Sequence, residues 1–307
     1  QQETLESVLE TNLAIAQGEL KCHHCPECDG YGCPGMLPGL GGVYDSKNFQ
    51  LNYEAWKDLY KQAEAAGEAG KINNIKITPQ MLRCGPVTGA VENIGYTNEG
   101  DFYLPYLKNA HDAGFGLCVG DGCPDEKLKH GLAAVRDLNT KAAFFLKPYP
   151  QEKLFERVEW VKPYAEYIGI DIDSYNIVTM RNLVHLERKT EAQLEEFRRH
   201  TERPFVIKGV FTQADIELVR DVRPEVVYIS NHGGRVETEV GSSGAFLAAH
   251  AAELKKYCKE IWVDGGIRTK VDIQTAVYYG ADKVIMARPL IRATFDGDFA
   301  DFIKFLF

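Results

Sequence analysis

Eight short apolar runs, separated by segments with helical spacing, restrict the fold of this sequence more than any other feature. Each run is rich in β-branched and aromatic residues, which is typical of a buried strand. The intervening segments place apolar residues at helical spacing, as in Pro150–Tyr164 and Glu191–His200. The predicted strands are Met81–Val87, Gly114–Val119, Ala142–Leu146, Tyr167–Asp173, Pro204–Val210, Val226–Asn231, Ile261–Gly265 and Lys283–Arg288.

This alternation predicts a (β/α)8 barrel with an amino-terminal extension. Eight strand–helix units occupy roughly 230 residues, close to the length of about 250 residues that is typical of such barrels. A doubly wound sheet is the alternative, but no Gly-x-Gly-x-x-Gly turn follows the first strand. We assign residues 76–307 to the barrel, with Thr212 and Asp272 as helix-capping residues. Residues 1–75 read as a helical, Cys-rich extension packed on the barrel, since they hold too few apolar residues for their own core.

Composition restricts the partners. The chain of 307 residues has a formal charge of −9, and its Lys and Arg residues are scattered. This distribution argues against nucleic acid or an anionic membrane as a partner. The sequence also has no run of 18 apolar residues and no signal-peptide pattern at its start, so we expect a cytoplasmic protein.

Polar and charged side chains follow six of the eight predicted strands. In a barrel, the carboxyl ends of all strands meet at one mouth, where the active site lies. Charged groups at the ends of apolar strands are costly unless they converge on a charged or reactive partner. The segments concerned are Lys147-Pro148-Tyr149, Asp171-Ile172-Asp173, Lys208-Gly209, His232 to Arg235, Asp264 to Arg268, and Arg288.

The segment Ser230-Asn231-His232-Gly233-Gly234-Arg235 carries the clearest chemistry. The imidazole of His232 can take up a proton near neutral pH, and the guanidinium of Arg235 matches a carboxylate. The two glycines leave room for a flat ligand near the backbone. These residues predict the oxidation or isomerisation of a small carboxylic acid, with Asp173 bonded to the far nitrogen of His232. The alternative is a capped turn with a structural histidine.

A second group of residues predicts a phosphate site. Gly265 and Gly266 precede a helix, with Arg268 beside them and Arg288 on the next strand. The ligand could be a phosphorylated substrate or flavin mononucleotide (FMN). Lys208 favours the flavin, because a fixed ammonium would stabilise the negative charge that the ring gains on reduction. The alternative for Lys208 is a core lysine paired with Asp171.

The sequence from Ile168 to Phe295 resembles the FMN-dependent α-hydroxy acid dehydrogenase and oxidase family. The resemblance rests on motifs in a fixed order, and the first half of the chain matches more loosely. It implies an FMN whose N5 accepts a hydride equivalent from the α-carbon of a 2-hydroxy acid, which becomes a 2-keto acid. The motifs are Ile207-Lys208-Gly209, Ser230–Arg235, Asp264–Arg268, Gly280-Ala281 with Ala287-Arg288-Pro289, and, more loosely, Pro86-Val87-Thr88-Gly89 and Phe145–Tyr149.

The resemblance also implies roles for single residues. The implied catalytic and substrate-binding residues are His232 as base, Asp173 as its support, Arg235 as carboxylate anchor, and Tyr149 as a hydrogen-bonding partner of the substrate. Arg181 is the candidate for a second carboxylate-binding arginine. The implied cofactor-binding residues are Pro86, Val87, Thr88, Lys147, Lys208, Ser230, Asp264, Gly265, Gly266, Arg268, Ala287 and Arg288.

The chain departs from the family pattern at two neighbouring strand ends. Lys147 stands where the family usually has Gln, and Asp171 stands where it usually has Thr. We expect these two residues to pair, and the added positive charge of Lys147 to favour a reduced, anionic flavin.

Four cysteines in the amino-terminal extension form a compact cluster, Cys22-x-x-Cys25-x-x-Cys28-x4-Cys33. Four thiolates at this spacing could hold an iron–sulfur cluster or zinc, and an unmetallated segment is the third alternative. An iron–sulfur cluster would pass electrons from the flavin to an acceptor protein.

Together these features predict an FMN-dependent enzyme that oxidises a small 2-hydroxy acid, and we expect a homo-oligomer. Two alternatives stay open. One is an FMN-dependent oxidoreductase that acts on a substrate other than a hydroxy acid. The other is a flavin and iron–sulfur electron-transfer module.

Overall fold

Eight parallel strands close into a barrel in the computed structural model, which describes residues 47–94, 96–174, 186–236 and 238–307. Neighbouring strands pair in the order β1-β8-β7-β6-β5-β4-β3-β2. A parallel bridge between Arg83 and Gly116 joins the first strand to the segment just before the second and completes the ring. This confirms the (β/α)8 barrel and excludes the doubly wound sheet. The strands are β1 (Leu82–Cys84), β2 (Cys118–Gly120), β3 (Ala142–Leu146), β4 (Ala165–Asp171), β5 (Phe205–Val210), β6 (Val226–Ile229), β7 (Glu260–Asp264) and β8 (Lys283–Met286).

All eight predicted strands are present, and the largest difference is at the start of β2. It begins at Cys118 rather than at Gly114, because Gly114 and Phe115 still terminate the preceding helix. Gly114 has a φ of +83°, and the N–H of Phe115 donates to the carbonyl of Ala110. The helices are α1 (Lys47–Ala65), α2 (Ala69–Asn73), α3 (Tyr103–Asp112), α4 (Glu126–Asp137), α5 (Gln151–Val161), α6 (Glu191–Thr201), α7 (Gln213–Val222), α8 (Ser243–Leu254), α9 (Lys270–Tyr278), α10 (Arg288–Asp296) and α11 (Phe299–Leu306).

Capping residues set the starts of the barrel helices. The Thr212 side chain accepts the N–H of Asp215, which confirms Thr212 as the cap of α7. The prediction for α9 was wrong by three residues, since its cap is Thr269. Asp272 instead completes the capping box, because its carboxylate accepts the backbone N–H of Thr269.

Side chains inside the barrel change from apolar at the floor to charged at the carboxyl mouth. Phe145 and Val206 belong to an interior cluster that includes Tyr228 and Trp262. Because inward positions recur every second residue, the next inward positions after Phe145 and Val206 are Lys147 and Lys208. The strands therefore aim both lysines into the mouth of the barrel.

Helix α1 lies against this mouth, although it precedes the barrel in the sequence. It packs on α8 and on the short 3-10 turn His232–Gly234 that follows β6. Helix α1 thus precedes the predicted domain boundary at residue 76 but contacts elements that follow it. The division into two domains stays a prediction. No helix among the described residues has the length and apolar character to cross a membrane.

Candidate active site

A carboxylate between two buried ammonium groups lies at the carboxyl ends of β3, β4 and β5. Asp171 Oδ2 is 2.7 Å from Lys147 Nζ, and Asp171 Oδ1 is 2.9 Å from Lys208 Nζ. The parallel register of β4 and β5 sets Asp171 beside Lys208. Burial would raise the pKa of Asp171, but Lys147 and Lys208 overcome this effect and hold it below its ordinary value. The expected pair of Lys147 with Asp171 is present, and so is the pair of Lys208 with Asp171 that the sequence offered as the alternative.

Asp173 and His232 form a second contact in the same mouth. His232 Nδ1 lies 3.5 Å from Asp173 Oδ2, on the side that the sequence analysis expected. Asp173 can reach this position because residue 209 is a glycine: a Cβ there would lie 2.6 Å from Asp173 Cγ. The glycine of Lys208-Gly209 therefore makes room for the carboxylate that faces the histidine.

His232 is held in an unusual backbone conformation. Its φ is +58°, in the left-handed region, and Gly233 and Gly234 continue in that region. The Ser230 hydroxyl accepts the backbone N–H of His232 at 3.0 Å and anchors this turn. Left-handed conformations of residues other than glycine cluster at functional sites.

The His232 imidazole has a lowered pKa. Burial, helped by the positive charge of Lys208, lowers its pKa from 6.5 to about 4, although Asp173 acts in the opposite direction. The ring is therefore neutral near pH 7. Its Nδ1 faces Asp173, so Nε2 is the nitrogen available to take a proton.

Arg235 brings a positive charge to the same turn. Its backbone N–H donates to the carbonyl of His232, which fixes the two residues relative to each other. Burial lowers the pKa of Arg235. Over the described ranges 47–94, 96–174, 186–236 and 238–307, no carboxylate pairs with its guanidinium. A partly buried guanidinium in this position is suited to an acidic ligand.

The glycines of these turns have a second function that the sequence interpretation missed. The sequence suggested that Gly234 leaves room for a ligand, but a Cβ there would lie 2.4 Å from the backbone nitrogen of Phe49 in α1. A Cβ on Gly266 would lie 2.2 Å from the carbonyl oxygen of Asn52. The Cβ positions of both glycines therefore face helix α1 and not an open ligand space.

The predicted phosphate residues surround the ends of β7 and β8. Gly265 and Gly266 have φ values of +106° and +76°. The Arg268 Nη1 donates to the carbonyl of its neighbour Ile267 at 3.0 Å. The Arg288 guanidinium lies over the Phe49 ring, 4.6 Å from its centre. The arrangement brings two arginines and a glycine turn to one side of the mouth.

The carboxylate of Asp264, which the resemblance implies as a cofactor-binding residue, is directed toward Tyr228 inside the barrel. Its Oδ2 accepts the hydroxyl of Tyr228 at 2.7 Å, inside the barrel. Its Oδ1 is buried and has no hydrogen-bond partner among the described residues. A carboxylate is a poor neighbour for a phosphate but a good acceptor for a hydroxyl donor.

Four other predicted cofactor contacts follow β1 and β8, which are paired neighbours in the barrel. Pro86, Val87 and Thr88 follow β1, and a Cβ on Gly120 of β2 would lie 3.0 Å from the Pro86 carbonyl oxygen. Ala287 precedes α10 and packs so closely on Gly85 that a Cβ there would lie 2.6 Å from the Ala287 Cβ. These residues form one wall beside β1, β2 and β8.

Tyr149, which the resemblance implies as a hydrogen-bonding partner of the substrate, is buried beside the loop after β2. Its side chain is 1% exposed, and its hydroxyl approaches the carbonyl of Gly122 at 3.5 Å. The Arg157 guanidinium covers its ring at 4.5 Å. The hydroxyl is thus directed to the loop after β2.

Asp121 and Arg157 form a buried pair that the sequence analysis missed. Asp121 Oδ1 is 2.7 Å from Arg157 Nη1, and Oδ2 accepts the backbone N–H of Lys147 at 3.0 Å. Asp121 follows β2 directly, so the rule that flagged charged residues at six other strand ends would also have flagged this one.

Several predicted residues lie outside the part of the chain that the structure describes. They are Arg181 and the four cysteines Cys22, Cys25, Cys28 and Cys33. Within the described ranges, no group of three or more His, Cys, Asp or Glu side chains could hold a metal ion. Iron–sulfur and zinc binding by the cysteine cluster therefore stays a prediction.

Comparisons with known proteins identify the family of the chain. The sequence profile of the family described as FMN-dependent dehydrogenase matches residues 133–298. Over 98 residues the chain is 35% identical to human 2-hydroxyacid oxidase 2, covering 32% of this chain and 28% of that protein. Over 104 residues it is 34% identical to 4-hydroxymandelate oxidase of Amycolatopsis orientalis, covering 34% of this chain and 29% of that protein. The chain thus spans less than a third of the length of these relatives.

Solved structures support the fold independently. A crystal structure of a mandelate oxidase variant with 2-hydroxy-phenylacetamide superposes with a TM-score of 0.62 at 18% identity, covering 100% of this chain and 92% of that chain. This likeness shows the fold, while the profile match covers more than half of the sequence. The chain therefore belongs to the FMN-dependent dehydrogenase family.

Proposed function

We propose that this protein uses FMN to oxidise a small 2-hydroxy acid to the corresponding 2-keto acid. The observation that carries the proposal is the turn after β6. There, a neutral His232 faces Asp173, and Arg235 follows without a carboxylate partner in the described ranges. A base and a carboxylate anchor three residues apart suit a substrate whose hydroxyl and carboxylate are on adjacent carbons.

The residues of the mouth fit FMN. Arg268 and Arg288 would supply positive charge for its phosphate, and the Gly265-Gly266 turn lies beside them. The buried Oδ1 of Asp264, which has no hydrogen-bond partner within the described part of the chain, fits a hydroxyl of the ribityl chain better than the phosphate. Lys208 would stabilise negative charge on the pyrimidine part of the ring. When bound, FMN would supply the two-electron acceptor that the oxidation requires.

His232 would move the proton. Its Nε2 takes the hydroxyl proton of the substrate, and the resulting imidazolium is stabilised by Asp173 at 3.5 Å. The depressed pKa of about 4 keeps the ring in the unprotonated form before the reaction. Arg235 binds the carboxylate and orients the hydroxyl toward His232.

The test begins with the absorbance spectrum of the purified protein loaded with FMN. Anaerobic glycolate, lactate and mandelate are then added one at a time, and bleaching of the flavin is recorded. We expect His232→Ala to retain FMN and to lose bleaching. The control is His111→Ala, which removes an exposed histidine at the end of α3. Bleaching of His232→Ala at the wild-type rate would contradict the proposed base.

A second candidate keeps the FMN site but changes the substrate. It is favoured by the hydroxyl of Tyr149, which is directed to Gly122, and by the Lys147–Asp171 pair in the mouth. Both features alter the surroundings in which a simple hydroxy acid would bind. Protein that binds FMN but is bleached by none of the three acids would favour this candidate.

A further inference from the structure

Helix α1 touches the ends of the strands to which the proposed base, carboxylate anchor and phosphate site belong. Its residues at positions i, i+4 and i+8 are Asn48, Asn52 and Trp56, which lie on one face of a helix. All three are buried, each at 1% exposure. Buried amides are retained where they satisfy specific hydrogen bonds, because burial without partners is costly.

Asn52 binds the turn that carries His232 and Arg235. It forms a reciprocal amide pair with Asn231, in which its Nδ2 donates to Asn231 Oδ1 at 2.7 Å and its Oδ1 accepts from Asn231 Nδ2 at 2.9 Å. The same Oδ1 accepts the N–H of Ser243 at 3.0 Å. Asn231 Oδ1 in turn accepts the N–H of Gly234. One side chain of α1 is thus bonded both to Asn231, directly before the turn, and to Ser243 at the start of α8.

Asn48 and Trp56 extend the contact in two directions. Asn48 Nδ2 donates to the carbonyls of Val236 and Glu239, and its Oδ1 accepts the N–H of Gly241 at 2.8 Å. Trp56 Nε1 donates to the carbonyl of Gly265 at 2.8 Å, at the end of β7. The helix therefore connects the loop after β6 with the glycine turn of the proposed phosphate site.

We infer that α1 holds the ends of β6 and β7 in place relative to each other, with Asn52 as a positioning residue for His232 and Arg235. The roles assigned to those two residues rest on the proposed function, whereas the hydrogen bonds between α1 and the two strand ends do not depend on it. The left-handed conformation of His232 requires support from its surroundings, and Asn52 provides that support through Asn231 and Gly234. The absent Cβ atoms of Gly234 and Gly266 allow the backbone of α1 to approach closely enough for these bonds.

The test compares Asn52→Ala with Asn73→Ala in the full chain. Asn73 is an exposed asparagine whose side chain pairs only with Tyr60 among the described residues, so its loss is a matched control. Amide exchange of Gly234, Gly241 and Ser243 and the titration of His232 are followed by NMR, without substrate. We expect Asn52→Ala to speed exchange of Gly234 and Ser243 by roughly tenfold or more, and to shift the His232 titration. Asn73→Ala should change neither.

Two further variants keep the test decisive. Asn48→Ala should speed exchange of Gly241, and it replaces Asn52→Ala if that variant does not fold. Trp56→Phe retains an aromatic ring but loses the bond to Gly265, so it should weaken FMN binding and leave Gly234 exchange unchanged. The inference is overturned if the exchange of all three amides and the His232 titration stay as in the wild type while only the melting temperature falls. Failure of every acid to bleach the flavin would instead overturn the proposed function and leave these NMR results standing.

Discussion

Asp171 accepts contacts from two buried lysines at once, at 2.7 Å from Lys147 Nζ and 2.9 Å from Lys208 Nζ. One carboxylate thereby balances part of the positive charge of both side chains. Removing it would leave two ammonium groups in a buried site without the group that lies between them. The stability of the barrel mouth should therefore depend strongly on this single residue.

Asp171→Asn is expected to lower the free energy of unfolding by about 3–5 kcal/mol, the usual cost of breaking a buried ion pair from one side. Chemical denaturation of the flavin-free protein measures this change. The matched control is Glu159→Gln, which removes an acid from a contact with Lys162 at 3.4 Å on the surface and should cost less than about 1 kcal/mol. Equal effects of the two substitutions would contradict the buried arrangement.

Arg235→Met is expected to have little effect on the stability of the flavin-free protein, or to raise it. The reason is that no carboxylate in the described ranges pairs with this guanidinium. The control is Arg157→Met, which leaves the buried Asp121 without its partner at 2.7 Å and should cost about 3–5 kcal/mol. In the FMN-loaded enzyme, Arg235→Met should raise KM for the acid by about tenfold to hundredfold. An unchanged KM would show that Arg235 does not bind the substrate.

The stability of the flavin-free protein should fall as the pH drops from 6.5 toward 4. The pKa of His232 is lowered from 6.5 to about 4 in the folded state, so the unfolded chain binds this proton first. The slope from this residue should approach about 1.4 kcal/mol per pH unit within that window. Denaturation curves at several pH values measure it, and His232→Gln should remove this part of the slope. A slope that is identical in the variant would show that other groups are responsible.

Gly266→Ala is expected to destabilise the protein more than Gly67→Ala. The two glycines have similar φ values of +76° and +78°, so the strain of the backbone conformation is shared. A Cβ at Gly67 meets nothing within 4 Å, whereas at Gly266 it would lie 2.2 Å from the Asn52 carbonyl oxygen. The difference in the free energy of unfolding, about 1–3 kcal/mol, reports the contact with α1. Equal losses would mean that the helix can move away at little cost.

Much of the fold follows from local patterns along the chain. The eight apolar runs predicted all eight strands, and Thr212 predicted the start of α7, because strand burial and capping depend on residues close in sequence. Polar residues after six strands predicted the position of the site, since parallel strands in a barrel bring their carboxyl ends together. Asp121 was missed although it obeys the same rule.

The sequence by itself determined the barrel, the polar residues that follow its strands, and the family through its motifs. Only the tertiary structure decided which partner each group takes: Asp171 lies between two lysines, Tyr149 is directed to Gly122, and the space beside the glycine turns holds a helix. The bonds of Asn52 to Asn231 and Ser243 join residues separated by 179 and 191 positions. Such bonds leave no periodic pattern in the sequence, because they depend on how α1 is oriented against the closed barrel.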